Sequence, residues 1–263
     1  MFPLPDFRAP ADSIIDSHAH FNDKRFDGLR DELFAAMREY GVKKIINCGT
    51  NYENIEESLE LSRKYDFCRT AIAFHPCDIP DDEEIDYKRL EEIIKRERVV
   101  AVGETGLDYF WRSDNKERQK AEFVNHIKLA EKCGLPIIVH DRDAHAETLE
   151  ILKEYKPTGA VHCFSGSPEM AQEIVKLGMY IGIGGVLTFK NGRVLKEVAR
   201  VVPLDKILLE TDAPYLSPEP FRGKLNHSAL IIYVARALAE IRGISVEEVL
   251  KVTSENAERL FSI

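Results

Sequence analysis

Short apolar runs alternate with charged, amphipathic segments along almost the whole chain, and this alternation restricts the possible folds more than any other feature. Eight runs of apolar or β-branched residues have the length of strands, and they cover residues 14–17, 44–48, 69–74, 99–102, 136–139, 159–162, 180–184 and 207–209. Helical patterns cover residues 28–40, 54–64, 86–96, 116–132, 146–154, 169–176, 193–200, 228–242 and 246–261. Such alternation is typical of repeated strand–helix units around a parallel sheet.

Eight strands that alternate with helices favour a (β/α)8 TIM barrel, an α/β fold, over an open doubly wound sheet. The length of 263 residues suits one such barrel, so we expect a single domain over residues 1–263. Residues 1–12 contain three prolines and no periodic pattern, which indicates an irregular N-terminal extension. The last amphipathic segment, 246–261, predicts an additional C-terminal helix.

Composition narrows the class of protein further. The chain is 44% hydrophobic and 31% charged, and it contains no apolar run of the roughly 18 to 20 residues that a membrane span needs. The N-terminus lacks a basic start followed by an apolar stretch, so we expect a cytoplasmic protein. The five cysteines are scattered and odd in number, which favours reduced thiols over disulfides or a thiolate zinc site. The net charge of −9 means that a polyanionic substrate would require bound cations or a local basic rim.

Polar residues follow five of the predicted strands, at the end where the active sites of barrel enzymes are built. Histidine or carboxylate side chains occur there at six positions: His18, His20, Glu104, His140, His162 and Asp212. Four imidazoles and two carboxylates exceed what a single three-ligand hydrolytic metal requires. The set therefore predicts two divalent metal ions, with magnesium, manganese and zinc all compatible. Two such ions could share Glu104 and a water, activate that water as a bridging hydroxide, and hydrolyse an ester.

The same strand ends carry motifs that resemble the TatD family of metal-dependent deoxyribonucleases, which belongs to the amidohydrolase-like barrels. The motifs are His18-x-His20, Gly103-Glu-Thr-Gly-Leu-Asp-Tyr109, Pro136-Ile-Ile-Val-His-Asp-Arg-Asp-Ala144, His162-Cys-Phe-Ser-Gly166 and Glu210-Thr-Asp-Ala-Pro-Tyr215. The resemblance extends from about residue 14 to residue 261. It implies that His18, His20 and Asp212 hold one metal and that His140 and His162 hold the other. Glu104 would lie between the two metals.

Two acidic residues near the end of the last strand are candidates for proton transfer. Asp212 could accept the proton of the attacking water, because it would reach both metal and nucleophile. Glu210 lies two residues earlier and is interpreted either as a supporting acceptor or as an alternative base. Asp16 is a candidate to orient the imidazoles of His18 and His20.

Substrate contacts are predicted around these residues. Arg142, Arg222 and Lys224 are candidates for phosphate contact, and His75 for either a structural or a substrate-contacting role. The aromatic run Tyr109, Phe110 and Trp111 could stack on an unpaired base or pack on the barrel as a lid.

One segment departs from the family pattern. After the eighth strand the family has Arg-Gly-Lys, then Asn, then an acidic or amide residue and a proline. Residues 221–226 fit this pattern, whereas His227 and Ser228 replace its last two positions. The departure concerns substrate contacts near that loop and leaves the predicted ligands intact.

Three further residues are assigned no catalytic role. We expect His126 to be a packed, hydrogen-bonded histidine and His145 to lie at the surface. Cys163 neighbours His162 along a strand and therefore points away from it, which argues against a cysteine nucleophile.

The resemblance implies a deoxyribonuclease that cleaves DNA phosphodiester bonds, exonucleolytically on single strands or 3′ ends. An alternative is an ester or amide hydrolase such as a D-aminoacyl-tRNA deacylase, because the same hydroxide could attack a carbonyl. The expected partner is thus DNA, RNA or tRNA as substrate, with no membrane and no obligate protein partner. A non-catalytic scaffold is disfavoured because all six predicted ligands are intact.

Overall fold

The eight apolar runs form eight parallel strands in residues 2–263, the part of the chain that the computed structural model describes. The strands are β1 (Ile14–Ala19), β2 (Val42–Gly49), β3 (Cys68–Ile72), β4 (Val99–Asp108), β5 (Ile137–Arg142), β6 (Gly159–Val161), β7 (Tyr180–Ile183) and β8 (Ile207–Leu209). They pair in chain order from β1 to β8. The predicted (β/α)8 barrel is therefore confirmed.

Helices connect the strands and cover the outside of the barrel. They are α1 (Arg30–Glu39), α2 (Tyr52–Lys64), α3 (Tyr87–Arg96), α4 (Lys116–Cys133), α5 (His145–Tyr155), α6 (Pro168–Lys176), α7 (Arg193–Val201), α8 (Ile231–Arg242) and α9 (Val246–Phe261). The predicted helix at 228–242 begins three residues late, because residues 228–230 form a 3-10 turn. Ser245 caps α9, accepting a hydrogen bond from the amide of Glu248. Among the helices of residues 2–263, none combines the length and the apolar composition that a membrane span requires.

The additional C-terminal helix α9 closes the barrel at the amino ends of the strands. Ala257, Leu260 and Phe261 pack against apolar side chains of the barrel strands. The Asn256 amide donates to the carbonyl of Ile207, the first residue of β8, at 2.8 Å. The opposite end of the barrel, where the strands finish, is therefore left for the polar residues.

Strand β4 is longer than predicted, and this changes the position of Glu104. The hydrophobic run predicts a strand that stops at residue 102, with Glu104 in the following loop, but β4 continues to Asp108. Gly103 and Gly106 permit this because neither has a side chain. A Cβ at Gly103 would lie 2.6 Å from the Ile138 Cβ, and one at Gly106 would lie 2.0 Å from the His140 carbonyl oxygen. The glycines therefore allow β4 to approach β5 closely where a loop was expected.

Buried polar contacts close the barrel between β8 and β1. Past the end of β8, the amide of Asp212 donates to the His18 carbonyl at 3.0 Å. The Asp16 carboxylate accepts from the amide and hydroxyl of Thr211, at 3.0 and 2.6 Å, and from the Ser228 hydroxyl at 2.7 Å. It also accepts from the backbone amide of His18 at 3.2 Å. The expectation that Asp16 orients the imidazoles is thus wrong, because its bonds go to backbone amides and hydroxyls.

The two residues that depart from the family pattern are both buried and structural. Ser228 belongs to the Asp16 network, and the His227 ring donates through Nε2 to the Pro3 carbonyl at 2.5 Å. Both side chains are withdrawn from solvent. His227 therefore helps to hold the N-terminal extension in place, and Ser228 helps to hold the closure between β8 and β1.

Replacing Asp16 by alanine should lower the free energy of unfolding by about 2–4 kcal/mol, because buried donors of Thr211 and Ser228 lose their acceptor. Urea unfolding followed by circular dichroism measures this loss. Asp82→Ala, an exposed residue of the loop before α3, is the control and should leave the midpoint unchanged. Equal midpoints for the two variants would contradict a closing role for Asp16.

Candidate active site

The carboxylate of Glu104 lies at the centre of the barrel mouth, between two pairs of histidines. Its Oε2 is 3.3 Å from Nε2 of His18 and 3.3 Å from Nε2 of His20. Its Oε1 is 2.7 Å from Nδ1 of His140 and 2.7 Å from Nε2 of His162. Each carboxylate oxygen therefore faces one pair of imidazole nitrogens.

Asp212 joins the first histidine pair. Its Oδ1 lies 3.6 Å from Nε2 of His18 and 3.5 Å from Nε2 of His20. The Nε2 atoms of the two histidines are 3.0 Å apart, as expected for side chains on one side of a strand. The other ring nitrogens contact β2, with His18 Nδ1 3.3 Å from the Cys48 sulfur and His20 Nδ1 3.3 Å from the Cys48 carbonyl. These contacts turn both Nε2 atoms towards Glu104.

Asp108 orients His140, a role that its motif alone does not indicate. Its Oδ2 lies 3.0 Å from Nε2 of His140, and this leaves Nδ1 of the ring directed at Glu104. Its Oδ1 accepts the amides of Phe110 and Trp111 at 3.0 and 2.8 Å. Asp108 is four residues past Glu104 on one strand, and the period of two along a strand was the signal available in the sequence.

Glu210 lies beneath His162. Its Oε1 accepts the amide of Cys163 at 2.5 Å and is 4.0 Å from Nδ1 of His162. Gly182 on β7 leaves the space that this carboxyl group occupies, since a Cβ there would lie 2.4 Å from Oε2. Glu210 is therefore packed behind the histidine and away from the mouth.

The environments of Asp212 and Glu210 push their pKa values in opposite directions. Although burial opposes ionisation, the His20 hydrogen bond and the nearby imidazoles hold the pKa of Asp212 below its ordinary value. Burial raises the pKa of Glu210 well above its ordinary value, against the stabilising Cys163 amide. The side chain of Asp212 is 19% exposed and that of Glu210 is 1% exposed. Asp212 is thus the ionised, accessible member of the pair.

The surroundings shift the pKa values of His18, His140 and Glu104 in different directions. Burial lowers the pKa of His18 to about 4. Burial also acts to lower the pKa of His140, but hydrogen bonds to Asp108 and Glu104 outweigh this effect and raise the pKa to about 9. The pKa of Glu104 lies well below its ordinary value, because the surrounding imidazoles outweigh its burial. A cation bound among these residues would compete with protons for the same atoms.

His75 reaches the same centre from the end of β3. Its Nε2 is 3.6 Å from Oε1 of Glu104, and its ring lies edge-on to His140 with 4.4 Å between centroids. Its Nδ1 accepts the amide of Cys77 at 3.1 Å, and burial lowers its pKa to about 3. A neutral ring that accepts at Nδ1 carries its proton on Nε2, so His75 presents a hydrogen-bond donor to the centre.

The aromatic run after β4 divides into a packed and an exposed part. The Tyr109 ring packs against the core and under Lys116, whose Nζ lies 4.2 Å from the ring centroid. Phe110 and Trp111 face solvent, and Trp111 is 67% exposed. The Arg142 guanidinium lies over Phe110, 4.2 Å from its centroid. Phe110, Trp111 and Arg142 together form an exposed surface that we call the first plate.

The remaining residues singled out in the sequence lie on the loop after β8, on α4, on α5 and next to His162. Arg222 and Lys224 are exposed on the loop after β8, with Arg222 4.4 Å over the Phe189 ring. His126 is buried and donates to the Glu122 carbonyl. His145, the first residue of α5, pairs with Asp141 of β5 at 2.7 Å. Both histidines lie outside the centre, as expected. Burial raises the pKa of the Cys163 thiol well above its ordinary value, which opposes a thiolate nucleophile.

The donor set fits divalent cations. Donor atoms lie within 4.8 Å of one another in three groups, namely His18, His20 and Glu104; His18, His162 and Asp212; and His75, Glu104 and His140. Neutral imidazole and carboxylate are ligands for first-row transition ions, and carboxylate also binds magnesium and manganese. His18 has the low pKa that a neutral ligand requires.

Known proteins match the chain over nearly its whole length. The family model described as TatD related DNase matches residues 15–262. The uncharacterized metal-dependent hydrolase YabD of Bacillus subtilis (strain 168) is 42% identical over 95% of this chain and 99% of its own. The 3'-5' ssDNA/RNA exonuclease TatD of Cronobacter sakazakii is 33% identical over 94% of this chain and 97% of its own. The crystal structure of YjjV, a TatD homolog from Escherichia coli K12, has a TM-score of 0.90 and 32% identity, and covers 96% of this chain and 99% of that one.

Replacing Gly182 by alanine should destabilise the protein by about 1–3 kcal/mol, because the new methyl group would meet the Glu210 carboxylate and the His162 backbone. Gly184→Ala is the matched control, since a Cβ there finds its nearest neighbour at 3.4 Å, an ordinary contact. Denaturant unfolding of both variants measures the difference. A Gly182→Ala protein as stable as the control would show that Glu210 can move freely.

Proposed function

The chain belongs to the TatD-related DNase family and is a metal-dependent hydrolase, and we propose that it cleaves phosphodiester bonds of DNA. The proposed substrate is a single strand, degraded from its 3′ end. The name of the Cronobacter sakazakii relative, a 3'-5' ssDNA/RNA exonuclease, supports both this polarity and RNA as a second substrate.

The observation that carries the proposal is the position of Glu104 between the two histidine pairs. A carboxylate with 2.7 Å and 3.3 Å contacts from its two oxygens to separate pairs suits a ligand shared by two cations. His18, His20 and Asp212 would hold one cation, and His140 and His162 the other. When bound, two divalent ions would lower the pKa of a water and neutralise charge on the phosphoryl oxygens.

Asp212 is the proposed proton acceptor for the attacking water. It is ionised, lies beside His18 and His20, and is more open to solvent than Glu104, which is 4% exposed. An acceptor must pass its proton on, so access to solvent favours Asp212. Glu210 is withdrawn from solvent behind His162, where it accepts the Cys163 amide, and is therefore less suited to this role.

His75 is the proposed hydrogen-bond donor at the centre. Its Nε2 proton points towards Glu104 Oε1 and could serve a phosphoryl oxygen that enters the site. A neutral donor can stabilise the extra negative charge of a phosphoryl transition state without binding a cation itself.

The rim of the mouth supplies the proposed contacts to the substrate strand. Arg142 forms no ion pair within residues 2–263, so its charge is free to meet a phosphate beside His140. Phe110 and Trp111 offer exposed rings on which an unpaired base could stack. Arg222 and Lys224 extend the positive rim on the far side of the mouth.

The test of this function is cleavage of a labelled single-stranded oligonucleotide by chelated protein after magnesium, manganese or zinc is restored. We expect stepwise shortening from the 3′ end with at least one metal, and resistance of an oligonucleotide whose 3′-terminal linkages are blocked. Glu104→Ala should show no cleavage with any metal. Binding of the metals without cleavage of DNA or RNA, accompanied by turnover of D-tyrosyl-tRNA, would overturn the proposal.

Asp108→Asn should weaken metal binding about 10- to 100-fold, as loss of a ligand-orienting group does. An asparagine offers one oxygen, so it cannot accept both the His140 ring proton and the amides of Phe110 and Trp111. Calorimetric titration with manganese measures the affinity, and Asp114→Asn, an exposed carboxylate of the following loop, is the control. Unchanged affinity in Asp108→Asn would remove Asp108 from the metal centre.

A further inference from the structure

A second exposed aromatic group lies at the barrel mouth, and the proposed reaction gives it no role. Among the large apolar side chains that face solvent in the described residues, two adjacent pairs lie at the mouth, Phe110 with Trp111 and Tyr215 with Leu216. The Arg25 guanidinium lies over the Tyr215 ring, 4.2 Å from its centroid. Arg25 and Tyr215 are called the second plate below.

The second plate is tied directly to the candidate metal ligands. Tyr215 lies three residues after Asp212, and its amide donates to the Asp212 carbonyl at 2.8 Å. Its own carbonyl accepts from the side chain of Asn226 at 2.6 Å. Arg25 lies in the 3-10 turn Lys24–Phe26 after β1, and the amide of Asp23, the residue before this turn, donates to the His20 carbonyl at 3.1 Å. Two turns thus hold the plate beside the His20 and Asp212 half of the centre.

The two plates lie on opposite rims of the mouth. The first plate follows β4 and β5, whereas the second follows β8 and β1. In a barrel whose strands are ordered β1 to β8, the β4–β5 and β8–β1 positions are diametrically opposed. Glu104 and its histidines lie between them, so a strand that crosses the mouth over the centre would meet both plates.

The two arginines differ in how their charge is balanced. Arg25 forms two hydrogen bonds with the Asp23 carboxylate, at 2.9 and 2.7 Å, which hold its guanidinium in place over the Tyr215 ring. Arg142 has no such partner in residues 2–263. A neutralised, fixed guanidinium is suited to stacking on a base, whereas an unpaired one is suited to a phosphate. The second plate is therefore a surface for a base more than for a phosphate.

We propose that the Arg25–Tyr215 plate binds a nucleobase of the substrate strand on the opposite side of the metal centre from Phe110 and Trp111. The proposal rests on the nuclease function above. It assigns the enzyme a base-binding subsite on each side of the bond that is cleaved. The substrate class is then a single strand with unpaired bases on both sides of that bond.

The test combines an abasic scan of the substrate with substitution of Tyr215. Five-nucleotide single strands with phosphorothioate linkages, each lacking one base, are titrated against metal-loaded protein. Binding is followed through Trp111, the one tryptophan of the chain, which reports contact at the first plate. We expect one position at which loss of the base weakens binding about tenfold in the wild type. The same base loss should have no effect in Tyr215→Ala.

Two variants make the result specific. Tyr215→Phe keeps the ring and should retain the wild-type dependence on that base, and Tyr155→Ala removes an exposed ring from the outer helix α5 and should behave as wild type. Thermal unfolding checks that Tyr215→Ala is folded. If the wild type binds and cleaves DNA but loss of each base weakens binding equally in the wild type and in Tyr215→Ala, the base-binding proposal fails and the nuclease function stands. If the wild type neither binds nor cleaves any strand, the proposed function fails with it.

Discussion

The carboxylate of Glu104 is buried at the centre of the mouth, where an isolated negative charge would be costly to bury. Its two oxygens meet imidazole nitrogens of His18, His20, His140 and His162, so side chains from three separate parts of the barrel converge on this one group. The low pKa of Glu104 and the raised pKa of His140 are two results of one constraint, since each group stabilises the charge of the other. The imidazoles that stabilise the buried Glu104 carboxylate are therefore the same groups that would bind cations.

The barrel closure and the active site depend on each other through short links. Asp16 binds Thr211, the residue before Asp212, and also the backbone of His18. Two proposed ligands of one cation are thus fixed by a single buried carboxylate that touches neither imidazole. On the other side, Asp108 bonds to both His140 and the backbone of the first plate. A change in the rim loop after β4 would therefore reach the centre through one side chain.

Much of this arrangement could be predicted from the sequence because periodicity and strand ends are local properties. The eight strands and the helices follow the hydrophobic pattern closely, and the six histidine and carboxylate positions gather at one mouth. The length of β4 was not predictable in this way, because Gly103 and Gly106 read as turn residues until β5 is seen against them. Asp108 and Arg25 were missed for a related reason, since their significance lies in contacts with His140 and Tyr215 that are distant in sequence.

The two opposed plates bear on why a chain with a net charge of −9 could act on DNA. Attraction by overall charge is absent, so binding must come from cations at the centre, from a few arginines and from stacking. Stacking requires a free face on a base, and a base within a duplex has both faces covered by its neighbours. Aromatic groups on opposite rims of the mouth can therefore stack only on unpaired bases. The preference for single strands proposed for this enzyme then follows from the surface of the mouth. A duplex would present only its phosphates, which the negatively charged protein does not attract.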